Sequence, residues 1–125
     1  MRVENNKIVV KIKLIGEKFT TIENALIDTG ATFTVIPPEI AEFLELKLYK
    51  RKPRIDLITA SGLIEVPVKV IPKIIAENIE IDRLNVVIHK IPDPAPIKIL
   101  LGMNFIEKIE LLINGKKKGF DIKDP

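Results

Sequence analysis

The sequence predicts a small, mostly antiparallel β domain with one or two short helices, and three observations lead to this prediction. The chain has 125 residues, of which 46% are apolar and 30% charged, as expected of a globular domain with its own core. Several segments alternate apolar and polar residues and are rich in β-branched side chains. Turn-forming residues separate these segments, and no repeat or low-complexity linker divides the chain. We therefore expect a single domain over residues 1–125.

The first third of the chain is expected to contain three strands and a helix. Residues 7–15, KIVVKIKLI, alternate in polarity, and residues 16–18, GEK, suit a turn before a second strand over residues 19–27. Residues 33–36, FTVI, predict a short third strand. Residues 37–46, PPEIAEFLEL, change to the spacing of a helix, with apolar side chains three and four residues apart and a proline in the first turn.

The remainder of the chain predicts two hairpins joined by further strands. Arms over residues 55–59 and 63–71 flank a turn at Ser61 and Gly62. Pro67 lacks an amide hydrogen, which places the second arm at an edge or a bulge. The other expected elements are a strand over 84–91, a rigid loop over 92–96, an apolar strand over 97–101, a short helix after Gly102 and a hairpin that turns at Asn114 and Gly115.

An acidic residue directly after a buried-looking strand marks the region best suited to chemistry. Asp28 follows three apolar residues, although Asp is depleted in strands and is costly to bury without a partner. Gly30 can adopt backbone angles closed to other residues, so its amide can reach the Asp28 carboxylate. Thr29 adds a hydroxyl that donates and accepts. These three residues can hold one carboxylate at a loop tip, although the tripeptide alone is equally compatible with a simple turn.

The sequence around this tripeptide resembles the retropepsin-like aspartic proteases, single-domain relatives of pepsin that work as homodimers. The resemblance begins with ALIDTGATFTVIP at residues 25–37 and continues through the predicted helix. The hairpin ITASGLIEVPV at residues 58–68 is similar to the flap of that family, and IKILLGMNFI at residues 97–106 resembles its second signature. The resemblance covers residues 7–122 in the order of the family, and it implies a mainly antiparallel closed β barrel.

The resemblance also implies an aspartic endopeptidase. Pepsin-type chains carry two DTG motifs and this chain has one, so a catalytic dyad would need Asp28 from each of two chains. Two carboxylates about 3 Å apart share one proton, so one can activate a water while the other donates to the substrate carbonyl. The implied site residues are Asp28, Thr29 and Gly30 for catalysis, Ala31, Thr32, Thr59, Ala60, Ser61, Gly62 and Leu63 for binding an extended polypeptide, and Leu101 and Gly102 as support.

The implied homodimer brings further expectations. Thr29 of each chain would form a hydrogen bond across the two-fold axis, and the hairpin tip would close over the substrate. The segments KIVV at residues 7–10 and KGFDI at residues 118–122 are candidates for interface strands. Retroviral members usually carry Arg directly after the glycine of the second signature, whereas this chain has Met103 and Asn104. That departure places the chain nearer the cellular and prokaryotic branch.

Composition removes several other functions. The chain has no cysteine, which excludes disulfides, thiolate nucleophiles and cysteine zinc sites, and its single histidine, His89, is expected to be structural. We therefore expect no metal and no cofactor. No apolar run is long enough to cross a bilayer and no signal-peptide core is visible, so we expect a cytoplasmic protein without a membrane partner. The lack of glutamine with abundant Ile, Lys and Glu is typical of thermophilic proteins.

Two alternatives of other classes stay open at the level of sequence. A peptide-binding module on the same fold would keep the groove without an aligned dyad. A nucleic-acid-associated domain is favoured only by the pI of about 9.1. The net charge is only +3, Lys116–Lys118 suits a solvated hairpin tip, and one tyrosine without tryptophan leaves few stacking surfaces. A nucleic-acid partner is therefore not expected.

Overall fold

Nine of the strands form one sheet that closes on itself, and two further strands form a separate ribbon. The computed structural model describes residues 2–4 and 7–123. Within these ranges the elements are β1 (Arg2–Glu4), β2 (Lys7–Ile15), β3 (Thr20–Ile27), β4 (Thr34–Ile36), α1 (Pro38–Phe43), β5 (Lys47–Leu48), β6 (Arg54–Thr59), β7 (Gly62–Ala76), β8 (Ile79–Ile88), β9 (Leu100–Leu101), α2 (Met103–Ile106), β10 (Glu110–Asn114) and β11 (Gly119–Lys123).

A ring of strands organises the main sheet. The order β2, β3, β9, β4, β8 and β7 returns to β2 through antiparallel pairing of Lys13 with Ile75 and of Leu14 with Ile74. Two contacts in the ring, β3 with β9 and β4 with β8, are parallel, and the others are antiparallel. The predicted all-β, mainly antiparallel fold is therefore confirmed, and its closure takes the form of this ring.

The core lies inside the ring and follows the alternation of the strands. In β2 the side chains of Val10, Ile12 and Leu14 are at most 1% exposed, while the lysines between them face solvent. Burial of each such side chain stabilises the fold by about 1.5–3 kcal/mol. A second, smaller apolar cluster lies under the β6–β7 hairpin, around Val66 and Val68. The period-two pattern of the sequence thus identifies the buried face correctly.

The β7–β8 hairpin is longer than expected. The predicted arm ended at residue 71 and the next strand began at residue 84, whereas β7 extends to Ala76 and β8 begins at Ile79. Glu77 turns the chain with a left-handed φ of 57°. Pro72 favours an end to the strand at this position. β7 nevertheless continues past Pro72, because β2 and β8 supply hydrogen-bonding partners from elsewhere in the chain.

Other element boundaries also differ from the prediction. The strand expected over residues 97–101 is reduced to β9, which is held between β3 and β4. The strand expected to reach residue 91 ends at Ile88, and α1 is shorter than the predicted 37–46 helix. Such differences arise because pairing and capping decide where an element ends. The tail hairpin forms as expected, with Lys116–Lys118 in its exposed turn.

The two proposed interface segments have different neighbours. Residues 7–10 lie in β2, where β1 pairs with Lys7, Ile8 and Val9 and where β3 pairs with Val9 and Val10. In contrast β11 pairs only with β10 among the described residues. Among the described residues, the β10–β11 ribbon therefore has more unpaired strand edge than β2 has. Among residues 2–4 and 7–123, no helix has the length and apolar character needed to span a bilayer.

Candidate active site

The loop that carries Asp28 begins where β3 leaves the ring. The Asp28 amide donates to the carbonyl of Leu101 in β9 (3.0 Å), and the Ala31 amide donates back to the Asp28 carbonyl (3.1 Å). The first bond extends the parallel β3–β9 pairing by one residue. The backbone on either side of the carboxylate is therefore tied to the sheet and to its own loop. Leu101, which was predicted as a support, lies behind Asp28 and is fully buried.

The Asp28 carboxylate is held by a single backbone donor. The Gly30 amide donates to Asp28 Oδ1 at 2.9 Å, as the sequence predicts. A Cβ at position 30 would lie 3.3 Å from that same oxygen, so a larger residue would crowd the bond. Within the described residues, Oδ2 of Asp28 receives no hydrogen bond. One oxygen is thus fixed, while the other has no hydrogen-bond donor within the described residues.

A second loop, at Gly102, is tied to the Asp28 loop along its length. The Met103 amide donates to the Ala31 carbonyl (2.7 Å), and the Asn104 amide donates to the Thr32 carbonyl (3.2 Å). A Cβ on Gly102 would lie 2.4 Å from the Phe33 carbonyl oxygen, a distance that no side chain can occupy. Glycine at position 102 is therefore required for the close approach of the two loops.

A buried polar network, which the sequence analysis did not identify, joins these loops from below. Both the amide and the hydroxyl of Thr34 donate to Asn104 Oδ1, each at 2.8 Å. The Thr34 hydroxyl accepts from the Gly102 amide (3.2 Å), and Asn104 Nδ2 donates to the Asn85 carbonyl (2.7 Å). Thr34 is fully buried, so its amide and hydroxyl depend on these bonds in place of water. A threonine within an apolar strand was the available signal in the sequence.

The β6–β7 hairpin lies across the cleft from the Asp28 loop. Its turn is fixed by Thr59, whose hydroxyl accepts from the Ser61 amide (3.2 Å) and donates to the Gly62 carbonyl (2.9 Å). Gly62 has a φ of 111°, in the region that favours glycine, and nothing lies within 4 Å of the position of its missing Cβ. The predicted turn therefore forms, and its glycine is needed for backbone conformation alone.

A cleft of about 800 Å³ separates the Asp28 loop from the hairpin. Seven of the predicted site residues line it, namely Asp28, Gly30, Ala31, Thr32, Thr59, Ala60 and Ser61. Five do not. Leu101 and Gly102 are buried, Thr29 is exposed outside the cleft, and Gly62 and Leu63 are the first residues of β7 after the hairpin turn. Most of the other lining is apolar, including Phe33, Leu57, Ile64, Ile91 and Leu100.

His89 also lines this cleft, and the sequence analysis did not assign it to the site. It follows β8, its amide donates to the Ile36 carbonyl (3.1 Å), and its side chain is half-buried. The parallel pairing of β4 with β8 brings it to the same end of the sheet as the Asp28 loop. Within residues 7–123, no three His, Cys, Asp or Glu side chains come together as a group that could hold a metal ion.

Comparison with known proteins defines the class to which this fold and site belong. A family model described as aspartyl protease matches residues 10–105, a span that contains Asp28, the β6–β7 hairpin and Gly102. The chain therefore belongs to the aspartyl protease family. The comparison with curated proteins gives no match.

Among solved structures, the chain is similar to the crystal structure of a retropepsin-like aspartic protease from Rickettsia conorii. The TM-score is 0.67 and the sequence identity is 19%, and the match covers 91% of this chain and 81% of that chain. At this identity the likeness shows the fold. The family match confirms the aspartic protease family that the sequence predicts, and the structural likeness confirms its retropepsin-like fold.

Proposed function

We propose that two copies of this chain form an aspartic endopeptidase whose catalytic dyad is Asp28 and the partner subunit's Asp28. The observation that carries the proposal is the Asp28 carboxylate itself. It lines a cleft large enough for a peptide, with Oδ1 held by the Gly30 amide and Oδ2 without a protein donor among the described residues. Because each chain carries one such motif, the second carboxylate has to come from a second chain.

In this proposal the pair of carboxylates shares one proton, because two negative charges a few ångströms apart repel strongly. The ionised carboxylate removes a proton from a water, whose oxygen attacks the carbon of the scissile peptide. The protonated carboxylate donates its proton to the carbonyl oxygen, which gives a tetrahedral diol. Transfer of a proton to the nitrogen then breaks the C–N bond and releases an amine and a carboxylic acid.

The substrate of the proposed enzyme is an extended polypeptide with apolar side chains near the scissile bond. The apolar lining formed by Phe33, Leu57, Ile64 and Leu100 favours such side chains, because their burial removes apolar surface from water. The backbone at the tip of the β6–β7 hairpin would bind the peptide main chain as a strand does. In this role the hairpin acts as the flap, with Ala60 and Ser61 nearest the substrate.

The β10–β11 ribbon is the proposed intersubunit surface. Its exposed apolar side chains include Leu112 (44% exposed) and Ile113 (57% exposed). Burial of these side chains against the same ribbon of a second chain would give a symmetric, self-complementary interface. Thr29, which is exposed in the single chain, would then face the partner's Thr29 across the two-fold axis.

The test of the proposal is the Asp28→Asn variant. The amide keeps the shape of the side chain and its bond to Gly30 but cannot share a proton, so cleavage of an unfolded polypeptide should vanish while the melting temperature is retained. Asp56→Asn is the matched control, since Asp56 is another carboxylate that lines the cleft and it should leave cleavage intact. The assays should cover acidic to neutral pH, where a dyad gives a bell-shaped profile.

Two outcomes would overturn the proposal. One is an Asp28→Asn variant that cleaves as fast as the wild type. The other is a wild-type protein that binds an unfolded polypeptide but cleaves none anywhere in the pH range. The second outcome would assign the fold to peptide binding without catalysis.

A further inference from the structure

The chain carries a basic segment next to the β6–β7 hairpin. Residues 47–54, KLYKRKPR, contain five cationic residues among eight, and we refer to them as the basic segment. The segment includes β5 and leads directly into β6. Beyond the pairing of β5 with β7, two further bonds fix it to β7: the Tyr49 amide donates to the Val68 carbonyl (2.8 Å), and the Val68 amide donates to the Pro53 carbonyl (2.7 Å). The cationic side chains therefore project from an anchored backbone.

A cavity of about 390 Å³ opens beside the basic segment. Its floor is apolar and includes Leu44 and Leu46, which are buried, and Val70 and Pro72, which are half-buried. Its rim carries four cations and two carboxylates, namely Lys47, Lys50, Arg51, Arg83, Glu17 and Glu45. The site thus combines an apolar floor with a mainly positive rim.

Most of the positive charge on this rim is not neutralised within the chain. Lys47 forms an ion pair with Glu17 (Nζ to Oε1, 3.5 Å). In contrast, within the described part of the chain no carboxylate lies within ion-pair distance of Lys50, Arg51 or Arg83. These three cations face only one further rim carboxylate, that of Glu45. The rim is therefore complementary to a ligand with negative charge.

Arg83 reaches the rim from an irregular position in the β7–β8 ladder. Arg83 has a left-handed φ of 53°, which is unfavourable for a residue other than glycine, asparagine or aspartate. The β7–β8 ladder pairs Ile71 with Leu84 and Lys73 with Asp82, and it has no pair at the position between them, where Pro72 faces Arg83. The strained position thus carries a long cationic side chain on the rim of the cavity.

The cavity and the active-site cleft are linked through one apolar cluster, formed by Val66, Val68 and Val87. Tyr49, which lines the cavity, packs against this cluster, and so do Phe33, Leu57 and Ile64, which line the cleft. Arg51 precedes Leu57 by six residues, so their Cα atoms are at most about 20 Å apart. An extended segment of about six residues is long enough to span that distance, from the hairpin side of the cleft to the cavity.

From this arrangement we propose that the cavity is an exosite that binds an acidic stretch of the polypeptide substrate, joined to the part under the hairpin by a flanking segment of about six residues. The inference rests on the proposed function, and it names the class of substrate. In a symmetric dimer the two exosites would serve the two flanks of the cleft. A flanking peptide fits the site better than a nucleic acid does, because the cations surround a small apolar floor and Tyr49 is packed against the core.

The test uses two fluorogenic peptides with the same apolar cleavage core. One carries three glutamates joined to this core by a flanking segment of about six residues, and the other carries serines in their place. We expect kcat/KM to be about fivefold higher for the acidic peptide at low salt, mainly through KM, as for one or two exposed ion pairs. The preference should fall as salt is added. The double variant Lys50→Glu with Arg51→Glu should lose or reverse the preference and keep its kcat on the serine peptide.

A matched control places the same charge change elsewhere. The double variant Lys116→Glu with Lys117→Glu alters the exposed turn between β10 and β11 and should retain the preference. Equal kcat/KM values for the two peptides with the wild type would overturn the exosite. So would loss of the preference in the turn variant as well, since this would indicate general attraction between charges.

A binding assay separates failure of the exosite from failure of the proposed function. Fluorescence anisotropy measures binding of the acidic peptide to the Asp28→Asn protein, which needs no cleavage. If the charge reversals at Lys50 and Arg51 weaken this binding, the exosite is supported. This holds even if the wild type cleaves neither peptide, a result that would overturn only the proposed peptidase activity. If a single-stranded oligouridylate binds through the same two residues more tightly than the acidic peptide does, the site is one for nucleic acid and the proposal is wrong.

Discussion

At the scale of single residues, the candidate site depends on groups that hold two loops at a short distance. Gly102 allows the backbones to approach, since a Cβ there would meet the Phe33 carbonyl. Thr34 and Asn104 then connect the loops through a buried set of hydrogen bonds. The Asp28 carboxylate itself makes only one hydrogen bond among the described residues, to the Gly30 amide. Its position is therefore determined mainly by residues such as Thr34, Gly102 and Asn104, which do not line the cleft.

The Asn104→Ala variant tests this support. The substitution removes the acceptor of two Thr34 donors and leaves them buried without partners, so the free energy of unfolding should fall by about 1–3 kcal/mol. Urea denaturation gives the value. Lys108→Ala, on the exposed turn after α2, is the control and should change it by less than about 0.5 kcal/mol. An Asn104→Ala protein as stable as the wild type would show that the network is not needed.

At the scale of elements, the cleft is lined both by the hairpin and by Ile91 and Pro92, at the start of the loop over residues 92–96. The hairpin turn is exposed and needs the φ of 111° at Gly62. The loop is held by Lys98, whose Nζ donates to the Ile91 carbonyl and to Asp93 Oδ1, both at 2.9 Å. The hairpin turn and the Lys98 contacts therefore affect the shape of the cleft more than they affect the hydrophobic core.

Gly62→Val should impair peptidase activity more than stability. A β-branched residue resists a positive φ, so the hairpin tip would be redirected, while the core beneath β6 and β7 stays intact. Initial rates and the melting temperature should be measured together. Gly115→Val is the matched control, since Gly115 also has open space around its missing Cβ but no positive φ. Unchanged activity of Gly62→Val would mean that this hairpin does not cover the substrate.

The Lys98 contacts predict a dependence on pH. The hydrogen bond from Lys98, and next its charge, lower the pKa of Asp93 below the ordinary value. A lowered pKa in the folded state means that the interaction stabilises the fold above the ordinary Asp pKa of about 3.9 and is lost as the pH falls through the lowered value. The wild type should therefore melt higher than Lys98→Met between pH 5 and 7, by an amount that shrinks in more acidic solution.

Lys98→Met should also raise KM, because Ile91 and Pro92 line the cleft and their loop would be released. Lys90→Met is the control, since Lys90 affects Asp93 only through a weaker charge interaction. Equal melting temperatures for the wild type and Lys98→Met at pH 6 would contradict the assigned role of Lys98.

At the scale of the whole molecule, the ring of strands produces half of the proposed active site and leaves the β10–β11 ribbon outside. Light scattering at micromolar concentrations should give about twice the chain mass of 14.1 kDa. Activity per chain should fall on dilution, because dissociation separates the two Asp28 residues. A strict monomer that cleaves peptides would contradict the shared dyad.

Ile113→Lys should shift this equilibrium toward the monomer and reduce activity in parallel. The lysine would place a charge at the centre of the proposed interface, where desolvation is unfavourable. Ile22→Lys is the control, because Ile22 is 62% exposed on β3, away from the ribbon, and the change should leave the mass unaltered. If the Ile22→Lys variant becomes monomeric and the Ile113→Lys variant stays dimeric, the interface lies on another surface.

The local pattern of the sequence by itself determined the strands, the turn at Gly62 and the Asp28–Gly30 contact. These features depend on neighbours in the chain: side chains alternate across a strand, and Gly30 is two residues from Asp28. The ordered motifs also determined the family. The information in each case lies within a short segment, where propensity and spacing are visible without knowledge of the fold.

Only the tertiary structure decided which distant segments meet. Thr34 and Asn104 are 70 residues apart, and neither position signals the other. The same holds for the β2–β7 closure, the extension of β7 to Ala76, the place of His89 in the cleft, and the meeting of Arg83 with the basic segment. The physical reason is that strand pairing and side-chain packing join residues without regard to their separation along the chain, so these contacts leave no periodic signal in one sequence.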